Sequence, residues 1–301
     1  MVAPALPARQ SIGAKVGAYI ALTKPRIIEL LLVTTVPVMV VAEQGFPSVW
    51  LIVATVVGGS LSAGGANAIN MYVDRDIDAV MQRTRNRPLV TGEMTPSAAL
   101  VFAITLEAVA FVWLWAFVNL LSAVLALAAC LFYVFIYTLW LKRTSTQNIV
   151  IGGAAGAVPV LIGWSSVTNT VSVSALVLFG VVFFWTPPHF WALAIKYSDD
   201  YSAADVPMMP SVRSLEHTTN QMLAYTVVVV ATSLLFGWTA SMGLIYWVSA
   251  AVLGAAFLQL TWAVRRSLQP QDAVRLFTFS ITYITLLFGL MAVDVLVRYG
   301  W

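Results

Sequence analysis

Between Asp74 and Arg87 the chain places three aspartates and four arginines, in surroundings that are almost wholly apolar. The stretch reads NAINMYVDRDIDAVMQRTRNRPL, residues 67–89. Asn70, Asp74 and Asp78 recur at i, i+4 and i+8. If the helix before them continues past the membrane core, each step drifts by about 40°, so the three share one face and Asp76 points away. Oxygen ligands placed this way can converge on a hard cation. Mg²⁺ takes one or two carboxylates and fills its shell with water and phosphate oxygens. Arg83, Arg85 and Arg87 could hold the remaining phosphate charge through bidentate bonds. An EF-hand loop, whose start Asp74, Asp76 and Asp78 imitate, is excluded: its Gly position is Ala79 and its closing Glu position is Arg85. The rival reading is a solvated loop in which arginines set topology and aspartates balance them. The helical spacing of the Asn and Asp face favours metal and phosphate.

A second polar run, KYSDDYSAADVPMMP at 196–210, carries Asp199, Asp200 and Asp205, with Lys196 one turn before Asp200. Two acidic loops closing over one cavity could hold two Mg²⁺ ions around a diphosphate and neutralise it as a leaving group. Charged loops beside apolar helices suit a substrate with a diphosphate head and a long hydrocarbon tail. Ionising its allylic C–O bond leaves diphosphate and a carbocation, which apolar walls keep from water and aromatic faces stabilise. Tyr72, Tyr137, Tyr197 and Tyr201 lie near these loops, although such residues also mark membrane interfaces.

The elements that must carry these loops are membrane spans. Of 301 residues, 60% are hydrophobic and 10% charged, with mean hydropathy +0.88. A soluble domain carries roughly 25% charged residues. Apolar runs at 27–43, 49–69, 97–117, 121–141, 148–165, 172–195, 221–241, 244–263 and 273–297 predict nine helices, each near the ~20 residues that cross a bilayer core. With the N-terminus in the cytoplasm, fifteen of the sixteen basic residues fall inside and only Arg298 outside. The expected organisation is a cytoplasmic segment 1–26 and a nine-helix domain 27–301, with active-site loops 70–96 and 196–220 on the cytoplasmic side. The N-terminus has no apolar core of a secretory signal. Cys130 is the sole cysteine, so no internal disulfide forms. A net charge of +3 reads as topology rather than nucleic-acid binding. Glu29, Glu107 and Asp294 sit within or near apolar spans, where charge is costly; the sequence assigns them no chemistry. A transporter of an anionic substrate is the reading from another class, but alternating access needs polar residues on both sides, and here they cluster on one.

Four stretches resemble the UbiA superfamily of intramembrane prenyltransferases, and within it the members that farnesylate haem. They are LTKPRIIELLLVTT (22–35), NAINMYVDRDIDAVMQRTRNRPL (67–89), YTLWLKRTSTQNIVIGGAAGAVPVLIGW (137–164) and WTPPHFWALAIKYSDDYSAADVPMMP (185–210). The resemblance implies an all-α bundle around an apolar cavity open to the cytoplasm, in a bacterial inner membrane with the C-terminus outside. It implies that farnesyl diphosphate ionises, that a vinyl group of haem b attacks farnesyl C1, and that water completes haem O. That product would pass to a haem O oxygenase or terminal oxidase. An aromatic quinone precursor is the alternative acceptor. By motif position, Asn70, Asp74 and Asp78 would hold one Mg²⁺ and Asp199 and Asp200 a second. Arg85, Arg87, Lys142, Arg143 and Lys196 would contact diphosphate, and His189 would ligate haem iron or hydrogen-bond within the bundle. Pro187 and Pro188 are expected to break or kink the helix beside it. The chain departs from the pattern at Ala204-Asp205, where Ala-Gly is expected, which leaves the second-metal ligands open.

Overall fold

The computed structural model describes residues 11–300, with the backbone alone at 26–32; Arg9 and the side chains of Arg26 and Glu29 lie outside the described residues. In chain order the helices are α1 (Ile12–Thr23), α2 (Pro25–Glu43), α3 (Val49–Val73), α4 (Arg75–Val80), α5 (Pro88–Thr91), α6 (Pro96–Phe117) and α7 (Leu120–Leu131). A π-helical stretch, Phe132–Leu141, carries α7 on into α8 (Lys142–Thr144). Then follow α9 (Asn148–Thr168), α10 (Val173–Lys196), α11 (Ser198–Ala203), α12 (Met209–Val212), α13 (Leu215–Thr239), α14 (Leu244–Ser267) and α15 (Pro270–Tyr299). Counting α7 through α8 as one, eight helices among the described residues are long and apolar enough to cross a bilayer. The 19-residue α2 occupies the first expected span.

Helix starts follow local chemistry. The side chains of Ser48, Thr95, Asn119, Ser172 and Ser214 each cap the helix that follows, accepting a backbone N–H bond in its first turn. Pro25, Pro96 and Pro270 stand at or next to first positions, where a missing N–H is harmless. With little hydrophobic drive between helices in lipid, small residues let them close. A Cβ on Gly163 of α9 would stand 2.7 Å from the Thr35 carbonyl oxygen of α2. One on Gly65 of α3 would stand 3.0 Å from the Ala103 carbonyl of α6. Of the break or kink expected at Pro187 and Pro188, the break does not occur: α10 is continuous through both. Helices α2, α3, α9 and α10, with the π-helical stretch, wall a central cavity, and α4, α5, α11 and α12 cluster the polar loops at one end.

Candidate active site

Helix α3 ends at Val73, Asp74 forms the joint at φ −86°, ψ 9°, and α4 resumes at Arg75. The Asp78 N–H donates to the Asp74 carbonyl at 2.8 Å, so the helical repeat survives the joint. Asn70, Asp74 and Asp78 are all buried, whereas Asp76 faces out. The amide of Asn70 donates to Asp74 Oδ2 at 2.7 Å and to Thr138 Oγ1 at 3.1 Å. Lys142 donates to the same Asp74 oxygen, and Arg87 Nη1 donates to Asp78 Oδ2 at 2.5 Å. Arg143 stands 3.6 Å from Asp74 Oδ1 but makes its two good bonds, both 2.8 Å, to Asp76. That hydrogen bonding holds the Asp76 carboxyl at about 2.

A further cation completes the cluster. Lys24 sits between α1 and α2 in a left-handed conformation, φ 51°, a common way to end a helix, with its N–H donating to the Ala21 carbonyl at 3.3 Å. Its Nζ donates to Asn70 Oδ1 at 2.9 Å. Burial, then the charges of Arg87 and Lys142, lower its pKa to about 7.

These groups head a cavity of about 400 Å³. Lys24, Asn70, Asp78, Arg83, Arg87 and Lys142 line its mouth. Its walls descend along α3 as far as Thr55, about 22 Å from Asn70 at 1.5 Å per residue. They are mostly small and apolar, with Tyr133 and Tyr137 stacked at 5.3 Å. Both tyrosines belong to the π-helical stretch, whose wider turn is typical of functional sites. Arg83 reaches across to the second polar loop. Its Nη2 donates to the Tyr201 hydroxyl at 3.1 Å, and its guanidinium lies 5.1 Å from that ring.

Other sequence-selected residues stand apart. Arg85 is exposed. Lys196 is exposed too, with its ammonium 5.4 Å from the Tyr197 ring. Asp199 is exposed, Asp200 half-buried, and neither lines the cavity. Asp205 is an exposed turn residue at φ 51°, a conformation aspartate tolerates. His189 is buried between Trp185 and Phe277, at ring distances of 4.2 and 4.7 Å, and its Nδ1 bonds Ser280 Oγ at 2.7 Å. Sequence reasoning used Lys24 only for topology and passed over Tyr133 and Thr138. No spacing ties Lys24 to Asn70 before α1 packs on α3, and inside FYVFIYTLWL nothing singles out the other two.

The mouth fits a divalent cation. Asp74 Oδ1 is buried and accepts no hydrogen bond, beside Asn70 and Asp78, which face the cavity. Among the described residues no three His, Cys, Asp or Glu side chains converge. A cation here would therefore take two carboxylates and an amide, and complete its shell with water or phosphate oxygen. That is Mg²⁺ chemistry rather than that of zinc.

The model of the UbiA prenyltransferase family matches residues 31–287. Curated relatives named protoheme IX farnesyltransferase include one from Frankia alni, 54% identical over 95% of this chain and 100% of its own length. Another, from Streptomyces coelicolor, is 50% identical over 97% and 95%. Among solved structures, digeranylgeranylglyceryl phosphate synthase superposes with TM-score 0.77 at 15% identity, covering 93% of this chain and 98% of that one. A UbiA homolog from Archaeoglobus fulgidus bound to DMAPP and Mg²⁺ gives 0.65 at 16% identity, covering 90% and 99%. A helical bundle with a polar-mouthed apolar cavity, matched by one family model over most of its length, makes this chain a multi-pass membrane protein of the UbiA prenyltransferase family.

Proposed function

We propose that the chain transfers the farnesyl group of farnesyl diphosphate to a vinyl group of haem b, giving haem O and diphosphate. The observation that carries this reading is the cavity itself. Its mouth is lined by Asn70 and the buried Asp78 carboxylate among Lys24, Arg83, Arg87 and Lys142, with Asp74 buried directly behind them, and it continues as an apolar shaft. Such a site suits a diphosphate head with a hydrocarbon tail. The named activity of relatives at half identity supports haem as the acceptor.

Asn70, Asp74 and Asp78 would hold Mg²⁺, which when bound withdraws charge from the diphosphate as it leaves. Lys142 and Arg87 orient the head group and take up the charge released with it. Arg143 holds α4 by way of Asp76, while Arg85 and Lys196, exposed on the loops beside the mouth, would contact the diphosphate only by swinging their long side chains inward. Asp199 and Asp200, which stand beside the cavity rather than in its lining, would be the ligands of a second Mg²⁺. Tyr133 and Tyr137 present ring faces to the developing cation. His189 would be the haem-iron ligand, through Nε2, since Ser280 engages Nδ1. The positive-inside rule puts the mouth and the N-terminus in the cytoplasm and the C-terminus outside, in a bacterial inner membrane. The lipophilic product stays in the bilayer, where a haem O oxygenase or terminal oxidase would take it up.

The test is an acceptor panel. The purified protein is given farnesyl diphosphate, Mg²⁺ and either haem b or an aromatic quinone precursor, and products are identified by mass. Farnesylated haem alone supports the reading; prenylation of the aromatic acceptor alone overturns it.

A further inference from the structure

One buried carboxyl is unexplained by packing or by the mouth of the site. Glu107 lies on α6, inside the bundle and behind the cavity wall, 8% exposed. Its Oε1 accepts a hydrogen bond from Ser62 Oγ at 3.0 Å. Its Oε2 accepts none. Among the described residues it has no basic partner. Helix α3 closes tightly on it: a Cβ on Gly65 would stand 3.3 Å from Oε2. A carboxyl in hydrocarbon with one neutral hydrogen bond is expensive, and such residues mark proton paths. Ser62 and Cys130, beside it, both line the cavity.

The depth is informative. Along α3, Ser62 stands about 12 Å from Asn70 at 1.5 Å per residue. A diphosphate held at Asn70, its C1 carbon and a vinyl group bonded to C1 would fill that interval. The last step of the proposed reaction then falls at the level of Ser62.

We propose that Ser62 and Glu107 form a relay that positions the terminating water and accepts its proton. The inference rests on the farnesyl-transfer reading above. Farnesyl C1 bonds the terminal vinyl carbon as the C1–O bond breaks, its electron pair leaving with the diphosphate. The positive charge comes to rest on the vinyl carbon next to the ring. Water, donating a hydrogen bond to Ser62 Oγ, adds its oxygen to that carbon. Its proton passes to Ser62 Oγ as the Ser62 proton passes to Glu107 Oε1. Without the relay the cation loses a proton instead and gives an alkene lighter than haem O by one water. Ser62 touches the reacting water; Glu107 is a positioning residue acting through it.

The experiment compares wild type, Glu107→Gln and Ser62→Ala with haem b, farnesyl diphosphate and Mg²⁺. It reads the ratio of hydrated to anhydro farnesyl haem by mass. The ratio should fall by about a hundredfold in both variants, the low end for losing a general base, while total farnesylated haem stays measurable. An unchanged ratio in both overturns the relay and leaves the proton to the diphosphate. Loss of both products together in each variant also overturns it, because the relay acts after the carbon–carbon bond has formed. A wild type that makes no farnesylated haem defeats the functional reading instead, which keeps the two failures distinct.

Discussion

Lys142 and Arg143 are neighbours in sequence and look interchangeable there, yet they stand in different environments. The Lys142 side chain is 11% exposed and rests on Asp74, which is fully buried. Arg143 is 34% exposed and spends its two good bonds on Asp76, itself 62% exposed. Removing Lys142 takes away a buried ammonium that can donate to a phosphate oxygen, worth roughly 1.5–3 kcal/mol for a charged hydrogen bond. That converts to a loss of about tenfold to a hundredfold in head-group affinity. Removing Arg143 breaks a surface pair worth about 0–1 kcal/mol, or less than about fivefold. Lys142→Met also leaves Asp74 without its nearest cation. The roughly 3–5 kcal/mol expected for breaking a buried pair is softened by Arg143 at 3.6 Å, so the variant should fold. The assay is titration of each variant with inorganic pyrophosphate and Mg²⁺ in detergent, alongside kcat/KM for farnesyl diphosphate. Equal losses in the two variants, or a Lys142→Met affinity within about threefold of wild type, would refute the assignment of Lys142 to the diphosphate site.

Three other perturbations separate parts of the account. Gly163→Ala puts a methyl against the Thr35 carbonyl and should destabilise the α2–α9 contact by about 1–3 kcal/mol; a thermal unfolding scan in detergent that matches wild type would contradict that packing. Asp200→Ala should lower turnover more than Asp199→Ala, because Asp200 is half-buried next to Tyr201 and Asp199 is exposed. Identical wild-type rates in both would remove the second acidic set from the site. His189→Ala should shift the Soret band of bound haem and weaken its binding; an unchanged spectrum and affinity would leave His189 as a packing residue bonded to Ser280.

The shared face of Asn70, Asp74 and Asp78 in the candidate site was legible because its spacing is a direct reading of helical geometry. Asn70, Asp74 and Asp78 needed only a helix running on past the membrane, and α4 supplies it after a joint at Asp74. The spans were legible from apolar length, since lipid requires every backbone group to be satisfied inside a helix. The second loop was less legible. Asp199 and Asp200 sit in a six-residue helix, where a shift of one residue moves a side chain from the cavity to solvent. Two adjacent prolines suggested a break or kink in α10; the helix continues through both, as membrane helices can where neighbours re-satisfy the freed backbone groups. The π-helical turn at Tyr133 and Tyr137 was hidden, because FYVFIYTLWL is apolar all round and shows no period. Lys24 was hidden for a different reason: it reaches Asn70 only once α1 folds back on α3.

The central claim is that the buried Asn70, Asp74 and Asp78 face directs Mg²⁺-dependent farnesyl transfer to haem. The most direct measurement incubates purified wild-type and Asp74→Ala protein with haem b, farnesyl diphosphate and Mg²⁺, and looks for haem O by mass. Haem O from the wild type, abolished by chelation and restored by Mg²⁺, and absent from a folded Asp74→Ala protein, is the result expected. Near-normal haem O from Asp74→Ala, or the same yield with the metal chelated, would contradict the account.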